Sequence, residues 1–202
     1  MQINGLTFSY NKLLVFDDFN FESSEQLIAF KGPSGCGKTT LLKIISQNLI
    51  PQKISHLQYL PNTYFVIQED SLLPWLTGEE NISKFIAIDK AKIQSAKLFP
   101  VIENFFFKKA SEMSYGQRRM IELFRAFLFK PDLLLLDEPF NFLDKNSRTI
   151  FTTEISNLLK SGTKIFLTSH YNEDISDLNP KVFYFNNSFP IRKLNTEGES
   201  NK

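Results

Sequence analysis

The sequence predicts an α/β fold: a mostly parallel sheet, entered through an antiparallel β segment and interrupted by an inserted helical lobe. Three observations carry that prediction. Short apolar runs alternate with segments of helical period along most of the chain, the pattern of strand and helix units wound into one sheet. One of those runs, Leu133-Leu134-Leu135-Leu136, is apolar at every position, as a strand buried on both faces must be. Another, Gln26 to Lys31, leads through a glycine-rich loop into a helix-like segment, Leu41 to Leu49.

Taken in order, Ile3 to Tyr10 and Leu14 to Phe21 read as strands joined by a polar Asn11-Lys12 turn, which makes the entry antiparallel. Gln26 to Lys31 is the next strand, followed by Tyr64 to Gln68, Leu133 to Asp137, Lys164 to Thr168 and Val182 to Phe185. Helical periodicity marks Ser114 to Phe129 and Lys145 to Leu159. Thr77 to Lys109 carries helical patterns at Asn81 to Ile88 and Ala91 to Leu98, broken at Pro100, and no convincing strand. The expected organisation is one domain over residues 1–190 with a helical lobe at about 77–130. Residues 191–202, IRKLNTEGESNK, are polar and aperiodic and read as a frayed tail.

Composition narrows the function classes. A chain of 202 residues is long enough to bury a substantial core without staples. The one cysteine, Cys36, excludes an intramolecular disulfide, and the two histidines, His56 and His170, show no metal-ligand spacing with it, so a reducing, cytoplasmic setting is expected. The N-terminus lacks a basic region followed by an apolar stretch, and no apolar run approaches the ~18 residues of a spanning helix. The expectation is a chain neither exported nor embedded in a membrane. Its 23 basic and 22 acidic residues are interspersed, which gives no support for nucleic-acid binding. The 21 phenylalanines read as core rather than as a stacking platform, and His56 as surface.

Chemistry concentrates in Gly32-Pro33-Ser34-Gly35-Cys36-Gly37-Lys38-Thr39-Thr40, which matches G-x-x-x-x-G-K-[ST] between a strand and a helix. The glycines let several backbone N–H groups converge, and the following helix adds its positive end, so the occupant is a polyphosphate. Lys38 supplies a mobile charge for the terminal phosphates, the Thr39 hydroxyl can ligate Mg²⁺, and Cys36 reads as a small filler. Asp137 and Glu138 emerge where the leucine strand ends, the edge at which open α/β sheets bind ligands. Asp137 suits Mg²⁺ and Glu138 suits general-base work on an attacking water. Ser114-Tyr115-Gly116-Gln117 opens an amphipathic helix, with Ser114 as N-cap and Gly116 allowing close backbone approach.

With Met113-Ser114-Tyr115-Gly116-Gln117-Arg118-Arg119 and the following Phe124-Arg125-Ala126 in view, the chain resembles the ATP-binding cassette (ABC) family, whose signature motif this looks like. Seven strings stand in that family's order: Ser9-Tyr10, the phosphate loop, Gln68, the signature, Asp137-Glu138, Leu143-Asp144 and His170. The resemblance implies a P-loop NTPase core in the ABC ATPase arrangement and ATP hydrolysis with Mg²⁺. It also implies adenine stacking by Tyr10, a Mg²⁺ contact by Gln68, a γ-phosphate contact by His170 and a subunit-interface position for Asp144. ATP on one subunit would be completed by Ser114 and Gly116 of a second, in a head-to-tail dimer that is either a homodimer or a heterodimer.

Such a subunit would sit at the inner face of the cell membrane and drive transport through separate membrane subunits. The phrase Leu72-Leu73-Pro74-Trp75-Leu76 and the phenylalanine-rich lobe are the candidate docking surface. Alternatives from other classes are a soluble ABC ATPase acting on ribosomes or DNA, and a small-molecule phosphotransferase built on the same loop. Three departures from the family pattern stand out: Met113 for leucine, Tyr115 for glycine, and Asn141-Phe142-Leu143 where small residues are usual.

Overall fold

The structure is a computed structural model that describes residues 1–169, 178–186 and 188–196. Two strands, β1 (Gln2–Tyr10) and β2 (Leu13–Glu22), form the antiparallel entry, and Asn11 takes a left-handed φ of 49° to turn between them. After β3 (Leu27–Lys31) and α1 (Lys38–Ile45), a two-residue strand, β4 (His56–Leu57), adds to the other side of β1. His56 is exposed there. The larger sheet continues with β5 (Thr63–Val66), β6 (Leu133–Leu136), β7 (Lys164–Thr168), β8 (Lys181–Tyr184) and β9 (Asn195–Thr196), in the order β5-β6-β7-β3-β8-β9. Every pairing in it is parallel except β8 with β9.

The leucine strand shows why this sheet is apolar throughout. Side chains alternate faces along a strand. Leu133 and Leu135 join α1 and the antiparallel hairpin in one core cluster, while Leu134 and Leu136 join the helices on the opposite face in another. Both layers therefore close on the same four residues, all at 0% exposure. Phenylalanine fills the first layer: Phe30 meets Phe21, Phe166, Phe183 and Phe185 at 5.7–6.3 Å between ring centres. Most phenylalanines of the chain are buried in this way, which accounts for their abundance as packing.

Between β5 and β6 the chain is helical: α2 (Gly78–Ser83), α3 (Lys90–Gln94), α4 (Phe99–Phe106), a 3₁₀ turn at Ala110–Glu112, and α5 (Tyr115–Phe129). The two expected helices begin and end earlier than their patterns, at Gly78–Ser83 rather than Asn81 to Ile88 and at Lys90–Gln94 rather than Ala91 to Leu98. The capping box of Thr77 and Glu80 starts α2 early, and Asp89 starts α3 by accepting from the Ala91 amide at 3.1 Å. Pro100 opens α4 rather than ending a helix, because its missing N–H costs nothing in a first turn. A further helix, α6 (Lys145–Lys160), lies between β6 and β7.

Residues 191–196 correct the expectation of a frayed tail. Ile191 is 2% exposed; its amide donates to the Val15 carbonyl at 2.8 Å and its carbonyl accepts from Asp17 at 3.2 Å. Arg192 pairs with Asp17 at 2.6 Å, and β9 closes on β8. A polar segment is held because one isoleucine plugs a hole and the backbone pairs on both sides, neither of which periodicity reveals. Ile191→Ala should therefore lower unfolding free energy by about 2–4 kcal/mol in urea titration, as for other buried aliphatic truncations. A change below about 0.5 kcal/mol, typical of surface sites, would mean the segment is frayed in solution.

Candidate functional site

The phosphate loop is built where β3 ends. Gly32 has φ 149°, and a methyl group there would lie 2.6 Å from the Phe185 carbonyl oxygen and 3.0 Å from Cys36 Sγ, so only glycine fits. Gly37, at φ 102°, caps α1 without a side-chain hydrogen bond and leaves the helix N-terminus facing the loop. Val15 and Phe16 of β2 and the Ile191 side chain pack against Gly37, so the antiparallel hairpin backs the loop. Lys38 is 5% exposed, and its Nζ donates to the carbonyls of Gly32 at 2.7 Å and Pro33 at 2.8 Å. Cys36 is 1% exposed with its sulfur 3.7 Å from that ammonium, filling the loop's floor. Pro33, Ser34 and Gly35 are exposed, Thr39 is partly buried and Thr40 is buried.

Strand order brings the acids to this loop. β7 lies between β3 and β6, with Thr168 opposite Phe30 and Leu167 opposite Leu136, so the loop, Ser169 and Asp137 share one sheet edge. Asp137 is 1% exposed. Its Oδ1 accepts from the Thr168 hydroxyl at 2.7 Å, whereas its buried Oδ2 has no hydrogen-bond partner among the described residues. The same hydroxyl oxygen accepts from the Glu138 amide at 2.9 Å. Glu138 has φ 46°, a left-handed value uncommon for glutamate, and its carboxylate accepts from the Asn141 side-chain amide.

A residue that the sequence reading did not single out holds this turn. Arg119 of α5 is 2% exposed and donates to the carbonyls of Asp137 at 2.7 Å, Glu138 at 3.3 Å, Pro139 at 3.3 Å and Ile67 at 2.6 Å. Its charge is met by Glu122, also 2% exposed, at 3.1 Å. Glu122 in turn accepts from the Ser71 amide and, at 2.8 Å, the Ser71 hydroxyl, and Arg125 donates to Ser71 Oγ at 3.0 Å. The available signal was two opposite charges, three apart, on the face of α5 that periodicity buries. Thr168 and Asn141 carried no such signal.

The signature residues stand at the start of α5. Ser114 is exposed and forms a capping box with Gln117: Ser114 Oγ accepts from the Gln117 amide at 3.2 Å, and Gln117 Oε1 from the Ser114 amide at 2.9 Å. A methyl at Gly116 would sit 2.8 Å from the Phe142 carbonyl oxygen, the close approach its glycine allows. The Tyr115 ring turns to Phe142, with centres 4.5 Å apart, and its hydroxyl donates to the Gln68 carbonyl at 3.0 Å. Burial pushes that phenol above its ordinary pKa, keeping it a donor. Gln68 is exposed just beyond β5.

Asp144 is the N-cap of α6: it accepts from the Ser147 amide at 2.7 Å, and that bond, with a second from the Ser147 side chain, holds its carboxyl below the usual value. Tyr10 ends β1, 44% exposed, with its ring edge-on to Phe8 at 4.7 Å. His170 lies outside the described residues.

An α/β sheet carrying a glycine cradle, a buried lysine and an acidic pair on one edge defines a phosphate-loop nucleotide-binding protein. The family model for ABC transporters matches residues 16–141, and the chain belongs to that family. It is 31% identical to the spermidine/putrescine import ATP-binding protein of Mycoplasma mycoides over 98% of this chain and 62% of that protein. It is also 31% identical to the aliphatic sulfonates import ATP-binding protein of Bacillus cereus over 87% of this chain and 77% of that protein. The chain thus spans less than two thirds of the length of the first of these curated relatives. Among solved structures, an ATP-binding subunit of an ABC transporter aligns with a TM-score of 0.81 at 19% identity, covering 97% of this chain and 89% of that one. A dimeric bacterial ABC transporter cassette aligns at 0.78 and 19%, covering 96% and 95%. The ABC fold is shared by all of these.

Two outcomes test the energetics. Arg119→Ala should cost about 3–5 kcal/mol in chemical denaturation, since it strands the buried Glu122 carboxylate; a loss under about 1 kcal/mol would show that water relieves that charge. Asp144→Ala should cost about 1 kcal/mol at neutral pH through the lost cap. Because the folded pKa is depressed, the carboxylate's stabilisation is present above its unfolded value, 3.8, and is lost as pH falls through the folded one. Parent and variant should therefore converge in acid, and a gap that persists unchanged below pH 3 would assign the effect to something other than the charge.

Proposed function

We propose that this chain is the ATP-binding subunit of an ABC transporter, binding and hydrolysing ATP in a head-to-tail dimer to power transport through separate membrane subunits. One observation carries the reading: a glycine cradle with its buried lysine lies on the same sheet edge as Asp137 and Glu138, while Ser114 is exposed at the start of α5. Both relatives are import ATP-binding proteins, which favours uptake. The dimeric cassette among the structural neighbours supports a pair of subunits.

Loop N–H groups and the α1 terminus bind the polyphosphate, and Lys38 moves its ammonium from the Gly32 and Pro33 carbonyls to the β- and γ-phosphates. Glu138 orients and deprotonates the attacking water, and charge developing on the γ-phosphoryl group is met by Lys38 and by the α5 N-terminus with Ser114 and Gly116 of the second subunit. Tyr10 stacks on adenine and His170 contacts the γ-phosphate. Mg²⁺ fits the oxygen donors present: the Thr39 hydroxyl, the Gln68 amide oxygen and Asp137, whose buried Oδ2 is unpartnered among the described residues. When bound it would neutralise phosphate charge.

No described helix is long and apolar enough to cross a membrane. The membrane subunits would dock, at the cytoplasmic face, on Trp75, Phe85 and Phe107, which are 65%, 52% and 53% exposed. Leu72, at 7%, belongs to the core instead.

Glu138→Gln should retain ATP binding and lose at least ~100-fold in turnover, about 2.7 kcal/mol of barrier. Lys38→Ala should abolish or strongly weaken binding in calorimetry. Near-parental hydrolysis by the first, or an unchanged titration by the second, would remove the assigned roles.

A further inference from the structure

The segment after β5 is tied to one face of α5 by four successive contacts. The Ile67 carbonyl accepts from Arg119 at 2.6 Å, the Gln68 carbonyl from Tyr115 at 3.0 Å, Asp70 pairs with Arg118, and Ser71 donates to Glu122. Positions 115, 118, 119 and 122 recur at the spacing of a single helical face, so these ties form a ladder rather than scattered contacts. Two of these side chains also grip the segment after β6: Arg119 holds the carbonyls of residues 137–139, and the Tyr115 ring meets Phe142 edge-on. Phe142 is kept at φ 66° and is 68% exposed, an unfavourable pose for a bulky apolar residue without a partner ring. The two departures from the family pattern, Tyr115 and Phe142, thus meet each other. A glycine at 115 could make neither the Gln68 bond nor the ring contact.

We infer that Tyr115 is a positioning residue: it fastens the partner-facing end of α5 to the backbone of Gln68 and to Phe142, so that nucleotide contact at Gln68 is relayed to Ser114 within one subunit. This rests on the ATP-binding reading above. Rigid attachment matters because Ser114 and Gly116 contribute to the other subunit's site, and a sub-ångström displacement of a helix terminus changes what its amides can bind. The ladder makes the first two turns of α5 and residues 67–71 one body. Arg118 reinforces it, with its guanidinium 5.5 Å over the Tyr115 ring and a 2.6 Å bond to the Met113 carbonyl.

The test is amide hydrogen exchange on the full chain, held monomeric by dilution and checked by light scattering, with and without MgATP. In the parent, ATP should slow exchange both at residues 32–40 and at residues 114–120. Tyr115→Phe keeps the ring on Phe142 and deletes the hydroxyl bond. It should speed exchange without nucleotide at 114–117 by roughly threefold, the change expected from losing one ordinary hydrogen bond. It should also leave protection at 32–40 intact while most of the ATP-induced protection at 114–120 disappears, at an unchanged melting temperature. Arg118→Gln should act in the same direction. Equal protection at 114–120 in parent and Tyr115→Phe would overturn the relay, as would a parent protected at 32–40 alone; both leave ATP binding standing. A parent with no protection at 32–40 would overturn ATP binding itself and the relay with it.

Discussion

The buried guanidinium of Arg119 is the constraint on which the site's architecture depends. A charge taken out of water must be matched on nearly all its donors, or the fold loses several kcal/mol. Here the matching groups are the Glu122 carboxylate one turn along the same helix and four backbone carbonyls, one from the segment after β5 and three from the turn after β6. Neither segment is regular structure, so neither has a ladder of its own to fix it. Satisfying one side chain from α5 fixes both, and with them the positions of Gln68 and Glu138.

That arrangement also explains how an unfavourable backbone is tolerated. Glu138 and Phe142 both have positive φ, at 46° and 66°, within the eight residues, 137–144, that reverse direction between β6 and α6. Left-handed values for such residues persist only where surrounding contacts over-determine them. For Glu138 those contacts are the Arg119 bond to its carbonyl, the Thr168 hydroxyl on its amide and Asn141 on its carboxylate. Every exit of the peptide unit is occupied, so the carboxylate is presented at the sheet edge in a fixed direction. Preorganisation of this kind suits a group that has to orient water.

Much of the fold was legible because its signals are local. The run of four leucines, the glycine spacing from 32 to 37 and the Ser114 N-cap each specify their structure within a few residues. Order along the chain then sufficed to assemble the parallel sheet. What was not legible depends on contacts distant in sequence. Arg119 bonds residues 18 to 52 positions away, and Ile191 plugs a hole formed by Val15, Phe16 and Gly37. The strands β4 and β9, two residues each, are too short for any period to register. Of the candidate site, the loop and the acidic pair were readable as types, whereas Thr168 and Asn141 are ordinary residues given meaning only by their neighbours.

The departures at 115 and 142 illustrate the same point from the opposite direction. Read separately, a tyrosine in a glycine-rich turn and a phenylalanine in a tight loop look like losses of fit. In three dimensions each supplies what the other needs: Phe142 gives the ring at 115 a partner, and the pair covers apolar surface beside Gly116, whose hydrogen leaves room for the Phe142 carbonyl at a distance that no larger residue permits. Changing either position alone would therefore expose the other, so their energies are coupled and cannot be summed from single substitutions. The hydroxyl adds direction to that packing, because it donates to the Gln68 carbonyl at 3.0 Å, an acceptor that cannot donate in return. Two residues that depart from the family's sequence pattern thus join α5 to the turn after β6 and to the segment beyond β5 that carries Gln68.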